Sequence, residues 1–171
     1  MDAFISCQCY LHIIYQGGFQ MYYGMGPYTG QTTMAMQPEL INLILEAMRD
    51  EKQDRAKYNM MMDMTDDEKI KRQINFAYVD EGKHYKMFRH ILHCLTGRTT
   101  DVQVPEVKRP DNLLDAVETS IDGELEAVEM YRNIKSMLPQ TNLRDMLYEI
   151  ITDEQEHATR FVYVYSMMTD S

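Results

Sequence analysis

Asp80-Glu81-Gly82-Lys83-His84 has a near copy later in the same chain, Asp153-Glu154-Gln155-Glu156-His157. Each copy contains Glu-x-x-His, a spacing that places the carboxylate and the imidazole on one face of a helix, where both can bind one metal ion. A further glutamate precedes each pair by 30 residues, Glu51 before the first and Glu124 before the second. The second set is therefore the first set shifted by 73 residues, which indicates an internal duplication.

Both copies lie within a helical period of apolar residues. Around Glu81 and His84 the 4-3 spacing is carried by Ile70, Ile74, Ala77, Phe88, Ile91 and Leu95. Around Glu154 and His157 it is carried by Leu143, Leu147, Ile150, Phe161, Val164 and Met168. An apolar stripe faces the core of a helical protein, so these carboxylates and imidazoles are predicted to be buried. Burying them is costly unless they are paired or bind a cation.

Four helices are predicted, with boundaries indicated by proline, glycine and capping residues. These signals, in chain order, are Pro38 at the first start, a Thr65–Glu68 capping box at the second, Gly97 at its end, Pro110 at the third start, Pro139 at its end and Thr141 as the fourth cap. The connector 98–110 can reach about 40 Å when extended, roughly the length of a helix. We therefore predict an all-α, antiparallel four-helix bundle with a crossover between the second and third helices.

Composition excludes several classes of function. A formal net charge of −10 and a pI near 4.9 argue against nucleic acid or an anionic membrane as a partner. No apolar run is long enough to span a bilayer, and the N-terminus lacks the features of a signal peptide. Without Cys-x-x-Cys, neither a rubredoxin-type iron centre nor a zinc ribbon can be built. We expect a cytoplasmic protein.

The chain divides by composition into a tail and a bundle. Residues 1–36 hold five of the eight glycines, with tyrosines interleaved, and show no period, so we predict a poorly ordered tail there and the bundle over 37–171. Cys7-x-Cys9 in this tail could bind metal, but two incidental thiols are the simpler interpretation.

Four carboxylates and two imidazoles suit iron or manganese better than copper, and carboxylates can bridge two ions. Glu81 and Glu154 are the natural bridging ligands. The terminal positions are then completed by two pairs, Glu51 with His84 and Glu124 with His157.

Four more side chains are candidates for supporting these ligands. Tyr58 and Tyr131 lie two turns after Glu51 and Glu124 and could donate hydrogen bonds to ligand carboxylates, or simply pack in the core. Asp80 and Asp153 directly precede the motif glutamates and could accept the N–H of a ligand histidine from a neighbouring helix.

The motifs Asp50-Glu51-(x)6-Tyr58, Glu81-x-x-His84, Gly123-Glu124-(x)6-Tyr131 and Glu154-x-x-His157 together resemble the ferritin-like di-iron carboxylate superfamily, and its rubrerythrin branch most. The resemblance covers about residues 38–168 and implies a ferritin-like bundle. Rubrerythrins carry one more glutamate three residues after the third-helix ligand, where this chain has Ala127. Its counterpart on the first helix, Asp54, is a candidate extra ligand. The rubredoxin domain of many rubrerythrins is absent.

The resemblance implies an oxidoreductase in which two iron ions, or manganese in their place, reduce peroxide or dioxygen. Electrons would come from a separate donor such as a rubredoxin-type protein, and a homodimer or larger homo-oligomer is expected. Alternatives are a manganese catalase, a ferroxidase or iron-storage protein, and a structural or coat-type protein whose bundle is stabilised by metal.

Overall fold

The structure, a computed structural model, describes residues 38–170. It contains four α-helices: α1 (Pro38–Met62), α2 (Glu68–Thr96), α3 (Leu113–Met137) and α4 (Thr141–Thr169). No strand occurs within 38–170, so the prediction of an all-α four-helix bundle is confirmed. The predicted tail, with Cys7 and Cys9, lies outside the described residues.

The end of α2 and the start of α1 follow the sequence signals. Pro38 is the first residue of α1. Gly97 follows α2 in the left-handed conformation, with φ 69°, and its N–H donates to the carbonyl of His93. This backbone conformation strongly favours glycine, which explains why the helix stops there.

The starts of the other three helices differ from prediction. The α2 cap is Asp67, whose carboxylate accepts from the N–H of Lys69 and Ile70, and not the Thr65–Glu68 box. The α3 cap is Asn112, which accepts from the N–H of Asp115, two residues after the predicted start at Pro110. In α4, Thr141 is the first helical residue instead of the cap. Asp67 and Asn112 are the caps because their side-chain oxygens reach the free N–H groups of the first turn.

Each helix runs antiparallel to its two neighbours. Between α1 and α2, Lys52 lies over the Tyr85 ring and Arg55 lies over the Tyr78 ring. Residue numbers therefore increase along α1 in the direction in which they decrease along α2. Between α1 and α3, Tyr58 meets Glu124, and Tyr131 meets Glu51. The α3–α4 and α2–α4 pairs complete the bundle.

The apolar core is divided into two clusters by a buried polar layer. The first cluster has most of its volume in the N-terminal half of α1 and α4 and the C-terminal half of α2 and α3, and includes Met48, Phe88, Tyr131 and Leu147. The second cluster lies at the other ends of the helices and includes Tyr58, Ile74, Val117 and Phe161. In every helix the buried acidic and histidine residues fall between the two clusters.

The connector between α2 and α3 has contacts at both ends of the bundle. Val102 is buried in the first cluster, and Asp101 pairs with Lys52 of α1 at 2.8 Å. Further along, Arg109 donates to the carbonyl of Asp63, which follows α1. None of the four helices is long and apolar enough to cross a membrane, as judged over residues 38–170.

Candidate metal centre

Six buried side chains converge at the middle of the bundle, and all four helices contribute. They are Glu51 of α1, Glu81 and His84 of α2, Glu124 of α3, and Glu154 and His157 of α4; each is at most 4 % exposed. Their burial follows from the helical period, because each lies on the apolar stripe of its own helix. These are the six residues in which sequence reasoning predicted a ligand set.

The six side chains form two overlapping groups of potential ligand atoms. One group is Glu51, Glu81, His84 and Glu154; the other is Glu81, Glu124, Glu154 and His157. Within each group the atoms lie within 4.8 Å of one another. Glu81 and Glu154 belong to both groups, which is the geometry that a bridging carboxylate requires.

Within residues 38–170, several buried polar atoms at this centre have no hydrogen-bond partner. They are Glu51 Oε2, Glu81 Oε1, His84 Nδ1 and Glu154 Oε1. His84 Nδ1 and Glu154 Oε1 lie only 2.9 Å apart, but without the alignment of a hydrogen bond. Folded proteins rarely leave buried polar atoms unpaired, because each costs roughly 1–3 kcal/mol. The four atoms come from the four residues of the first group, and a metal cation bound there would satisfy them.

The donor set also fits two divalent cations by charge. The four carboxylates together carry four negative charges when ionised, which two divalent ions would neutralise. An uncompensated cluster of this kind would be strongly destabilising in a buried site. Carboxylate oxygen and imidazole nitrogen are the donors that manganese and iron commonly have in proteins.

Without metal, protons take over part of this compensation. Burial raises the pKa of Glu154 to about 8, with the negative charge of Glu51 adding to the effect. Burial, together with Glu154 and Glu51, raises the pKa of Glu81 well above its usual range. Burial alone would lower the pKa of His84, but its contacts with Asp153, Glu154 and Glu51 raise it well above the usual value.

His157 and Glu124 shift in opposite directions. Burial opposes a charged His157, yet its contacts with Asp80, Glu124 and Glu154 raise the pKa of this imidazole. The pKa of Glu124 is lowered despite burial, because the His157 imidazole lies 3.6 Å from its carboxylate and the Tyr58 hydroxyl donates a hydrogen bond to it.

Two tyrosines hold the two glutamates that come from the helices without a histidine. The Tyr58 hydroxyl donates to Glu124 Oε1, and the Tyr131 hydroxyl donates to Glu51 Oε1, both at 2.5 Å. Each bond joins α1 to α3, so each tyrosine holds the glutamate of the opposite helix. Burial raises the pKa of both hydroxyls well above the usual value, which keeps them as donors. Each ring also packs on a phenylalanine, Tyr58 on Phe161 and Tyr131 on Phe88.

Two aspartates orient the histidines. His84 Nε2 lies 3.1 Å from Asp153 Oδ2, and His157 Nε2 lies 3.3 Å from Asp80 Oδ2. With Nε2 donating its proton to the aspartate, Nδ1 is the nitrogen that faces the glutamates. Such a carboxylate partner fixes the ring and makes the imidazole a better metal ligand.

Asp54, the candidate extra ligand, stands outside both groups. Its carboxylate pairs with Lys57 Nζ at 2.7 Å and is 38 % exposed. It lines a surface cavity of about 300 Å³ beside Pro105 and Glu106 of the connector. Its counterpart Ala127 packs against the first apolar cluster, so neither helix provides a seventh carboxylate to the two groups.

Sequence reasoning missed a further pair of residues next to the centre. Lys83 Nζ lies 3.1 Å from Asp153 Oδ2 and 2.7 Å from Glu149 Oε1. Lys83 is one of the two unspecified residues of Glu81-x-x-His84, and Glu149 precedes Asp153 by four residues, one helical turn. The spacing of Glu149 and Asp153 could be recognised in the sequence, but their contact with Lys83 could be found only in the structure.

Comparison with known proteins finds a matching family, a protein of similar sequence and proteins of similar structure. The family model described as "Manganese containing catalase" matches residues 4–120, which include Glu51, Glu81 and His84. The Bacillus subtilis (strain 168) protein YhjR, described as uncharacterized, is 23 % identical over 143 residues, which is 84 % of this chain and 97 % of YhjR. A hypothetical protein from Pyrococcus furiosus has a similar structure, with a TM-score of 0.68 at 17 % identity, over 77 % of this chain and 90 % of that one.

Proposed function

The chain belongs to the family of manganese-containing catalases, within the ferritin-like di-metal carboxylate superfamily, and we propose that it is a two-metal enzyme that consumes hydrogen peroxide. The observation that carries this proposal is the set of four unpaired, buried polar atoms at the centre of the bundle. The finer assignment to the rubrerythrin branch stays a prediction.

In this proposal the two overlapping groups of side chains each hold one ion. Glu51 and His84 would hold the first ion, Glu124 and His157 would hold the second, and Glu81 and Glu154, which belong to both groups, would contribute to both. Manganese is the metal we propose, because the matched family is defined by it and the donor set accepts it. Iron, our expectation from the resemblance, would use the same ligands.

The reaction proposed is the disproportionation of two molecules of hydrogen peroxide to two of water and one of dioxygen. When bound, the two ions would supply a two-electron redox couple, so that one peroxide is reduced and the other oxidised with no external reductant. The buried position of the centre limits the access of water to it. Tyr58 and Tyr131 hold Glu124 and Glu51 in place, and Asp80 and Asp153 hold the imidazoles with Nδ1 facing the glutamates.

The test is metal analysis followed by an oxygen-electrode assay on the full chain loaded with Mn(II). We expect two ions per chain and one dioxygen for every two peroxides consumed, with no reductant added. Glu154→Ala should lose both, because it removes a side chain from both groups. Glu126→Ala is the matched control, since this exposed glutamate of α3 lies outside the cluster.

Three results would contradict the proposal in different ways. Two metals per chain and no turnover of peroxide would leave a metal protein without this activity. Peroxide turnover that stops unless a reductant is supplied would indicate a peroxidase fed by a separate electron donor, which was our expectation from the resemblance. Unchanged metal content in Glu154→Ala would refute the ligand assignment itself.

A further inference from the structure

The centre has an approximate twofold symmetry that relates α1 and α2 to α3 and α4. The 73-residue shift pairs Glu51 with Glu124, Glu81 with Glu154 and His84 with His157. The contacts obey the same symmetry, because Tyr58–Glu124 corresponds to Tyr131–Glu51, and His84–Asp153 corresponds to His157–Asp80. Any side chain that breaks this symmetry next to a ligand makes the two halves of the centre differ.

Lys83 breaks it on one side. Its Nζ lies 3.1 Å from Asp153 Oδ2, the same oxygen that lies 3.1 Å from His84 Nε2. One carboxylate oxygen therefore serves both an imidazole N–H and an ammonium group. Glu149 holds the ammonium from the other side, with its Oε1 at 2.7 Å from Nζ.

The corresponding side of His157 has no such cation. The shift by 73 places Glu156 where the first half has Lys83, and Phe76 where the second half has Glu149. Glu156 accepts from Arg160 Nε at 2.9 Å, and the Arg160 guanidinium lies over the Phe76 ring, with Cζ 3.7 Å from its centre. Over residues 38–170, His157 is the one basic side chain within ion-pair distance of Asp80.

We infer that the two metal positions are not equivalent, and that Lys83 is a positioning residue that weakens binding at the Glu51/His84 position relative to the Glu124/His157 position. This inference rests on the proposed two-metal function. It predicts that the ion held by Glu124 and His157 binds first.

The physical reason is the charge that reaches each imidazole. A carboxylate that accepts the distal N–H of a histidine increases the electron density available to the metal, and removing such a partner changes affinity about 10- to 100-fold. An ammonium on the same oxygen withdraws part of that density from His84 and adds a positive charge near the ion. Glu149 offsets some of this charge, but it is 52 % exposed, so solvent screens its contribution.

We expect a change in metal affinity at the lower end of the 10- to 100-fold range, because Lys83 is itself 38 % exposed and solvent screens its charge. We therefore expect the two binding steps of the wild-type protein to differ by about tenfold more than the statistical factor.

The experiment is calorimetric titration of the metal-free full chain with Mn(II), for the wild type and three variants. In Lys83→Met the weaker step should tighten by about tenfold while the stronger step stays unchanged. Lys83→Arg, which keeps the charge, should retain the wild-type spacing of the two steps. Lys86→Met, at an exposed position of the same helix, is the matched control and should change neither step.

A second measurement identifies which position fills first. With one equivalent of Zn(II), a diamagnetic probe, the imidazole nitrogen signals of His157 should shift before those of His84. A complementary variant, Glu156→Lys, places a cation near Asp80 and should weaken the first step.

The outcomes separate this inference from the proposed function. A wild-type protein that fails to bind two Mn(II) ions contradicts the two-metal function. Three outcomes overturn the role of Lys83 and leave the two-metal function standing. They are equal affinity for the two ions, a first ion bound at His84, and a ratio of the two affinities that is unchanged in Lys83→Met. Weaker binding in Lys83→Met also overturns this role, since it would mean that Lys83 supports the site.

Discussion

Loading the centre with metal should expel protons. Burial and the charge of Glu51 raise the pKa of Glu154 to about 8, so this carboxyl is about nine-tenths protonated at pH 7 in the metal-free protein. The pKa values of Glu81, His84 and His157 are raised as well. A ligand must lose its proton to bind a cation, the histidines from Nδ1, so all four groups favour proton release when metal binds.

The number of protons released on metal binding depends on pH. With a pKa of about 8, Glu154 is about nine-tenths protonated at pH 7 and about one-tenth protonated at pH 9. The part of the proton release that Glu154 contributes should therefore fall by about 0.8 per chain between these two pH values. The combined affinity for both ions should rise with pH, because binding releases protons.

Calorimetric titration with Mn(II) in two buffers of different ionisation enthalpy measures the number of protons released. Glu126→Gln is a suitable control, because this exposed residue should leave the number unchanged. Release of no protons at pH 7 would refute the reasoning, since Glu154 would then be ionised in the metal-free protein.

Three further predictions follow from the same contacts. Tyr131→Phe removes a 2.5 Å hydrogen bond to the buried carboxylate of Glu51. It should lower the free energy of unfolding, measured by urea titration, by roughly 1.5–3 kcal/mol. The control Tyr148→Phe, at an exposed position, should leave this free energy almost unchanged. The metal-free protein should lose stability as pH rises from about 5 to 8. The pKa of Glu154 is about 8 in the folded state against an ordinary 4.5, so over this range the folded protein binds a proton that the unfolded chain has released. A melting temperature that rises over this range would contradict the assignment. Phe161→Ala should cost about 3–5 kcal/mol by leaving a cavity beside Tyr58, and a loss below about 1 kcal/mol would mean that the second cluster is loosely packed.

The six central residues were predictable because two independent signals coincide on them. The helical period places each on an apolar stripe, and the 73-residue shift pairs them, so their convergence needs only that the four helices pack together. Helix ends were less predictable, since Thr65, Asp66 and Asp67 are all competent caps and only local geometry selects Asp67.

Two contacts next to the centre could not be predicted from spacing. Asp54 lies one turn from Glu51 and pairs with Lys57 of the same helix, and spacing alone does not distinguish such a pair from a ligand. The contact of Lys83 with Asp153 depends on how α2 and α4 are rotated against each other. Nothing in the spacing of either helix specifies that angle.

Each group of potential ligands draws on both halves of the duplicated chain. Glu51, Glu81 and His84 need Glu154 from the second half, and Glu124, Glu154 and His157 need Glu81 from the first. A single helical hairpin of this sequence type would thus have three of its four donors and no complete site. Two copies of such a hairpin could complete the site as identical subunits, and the two halves would then have identical surroundings. Joined in one chain, the two halves differ next to the ligands, at Lys83 and Glu156 among other positions.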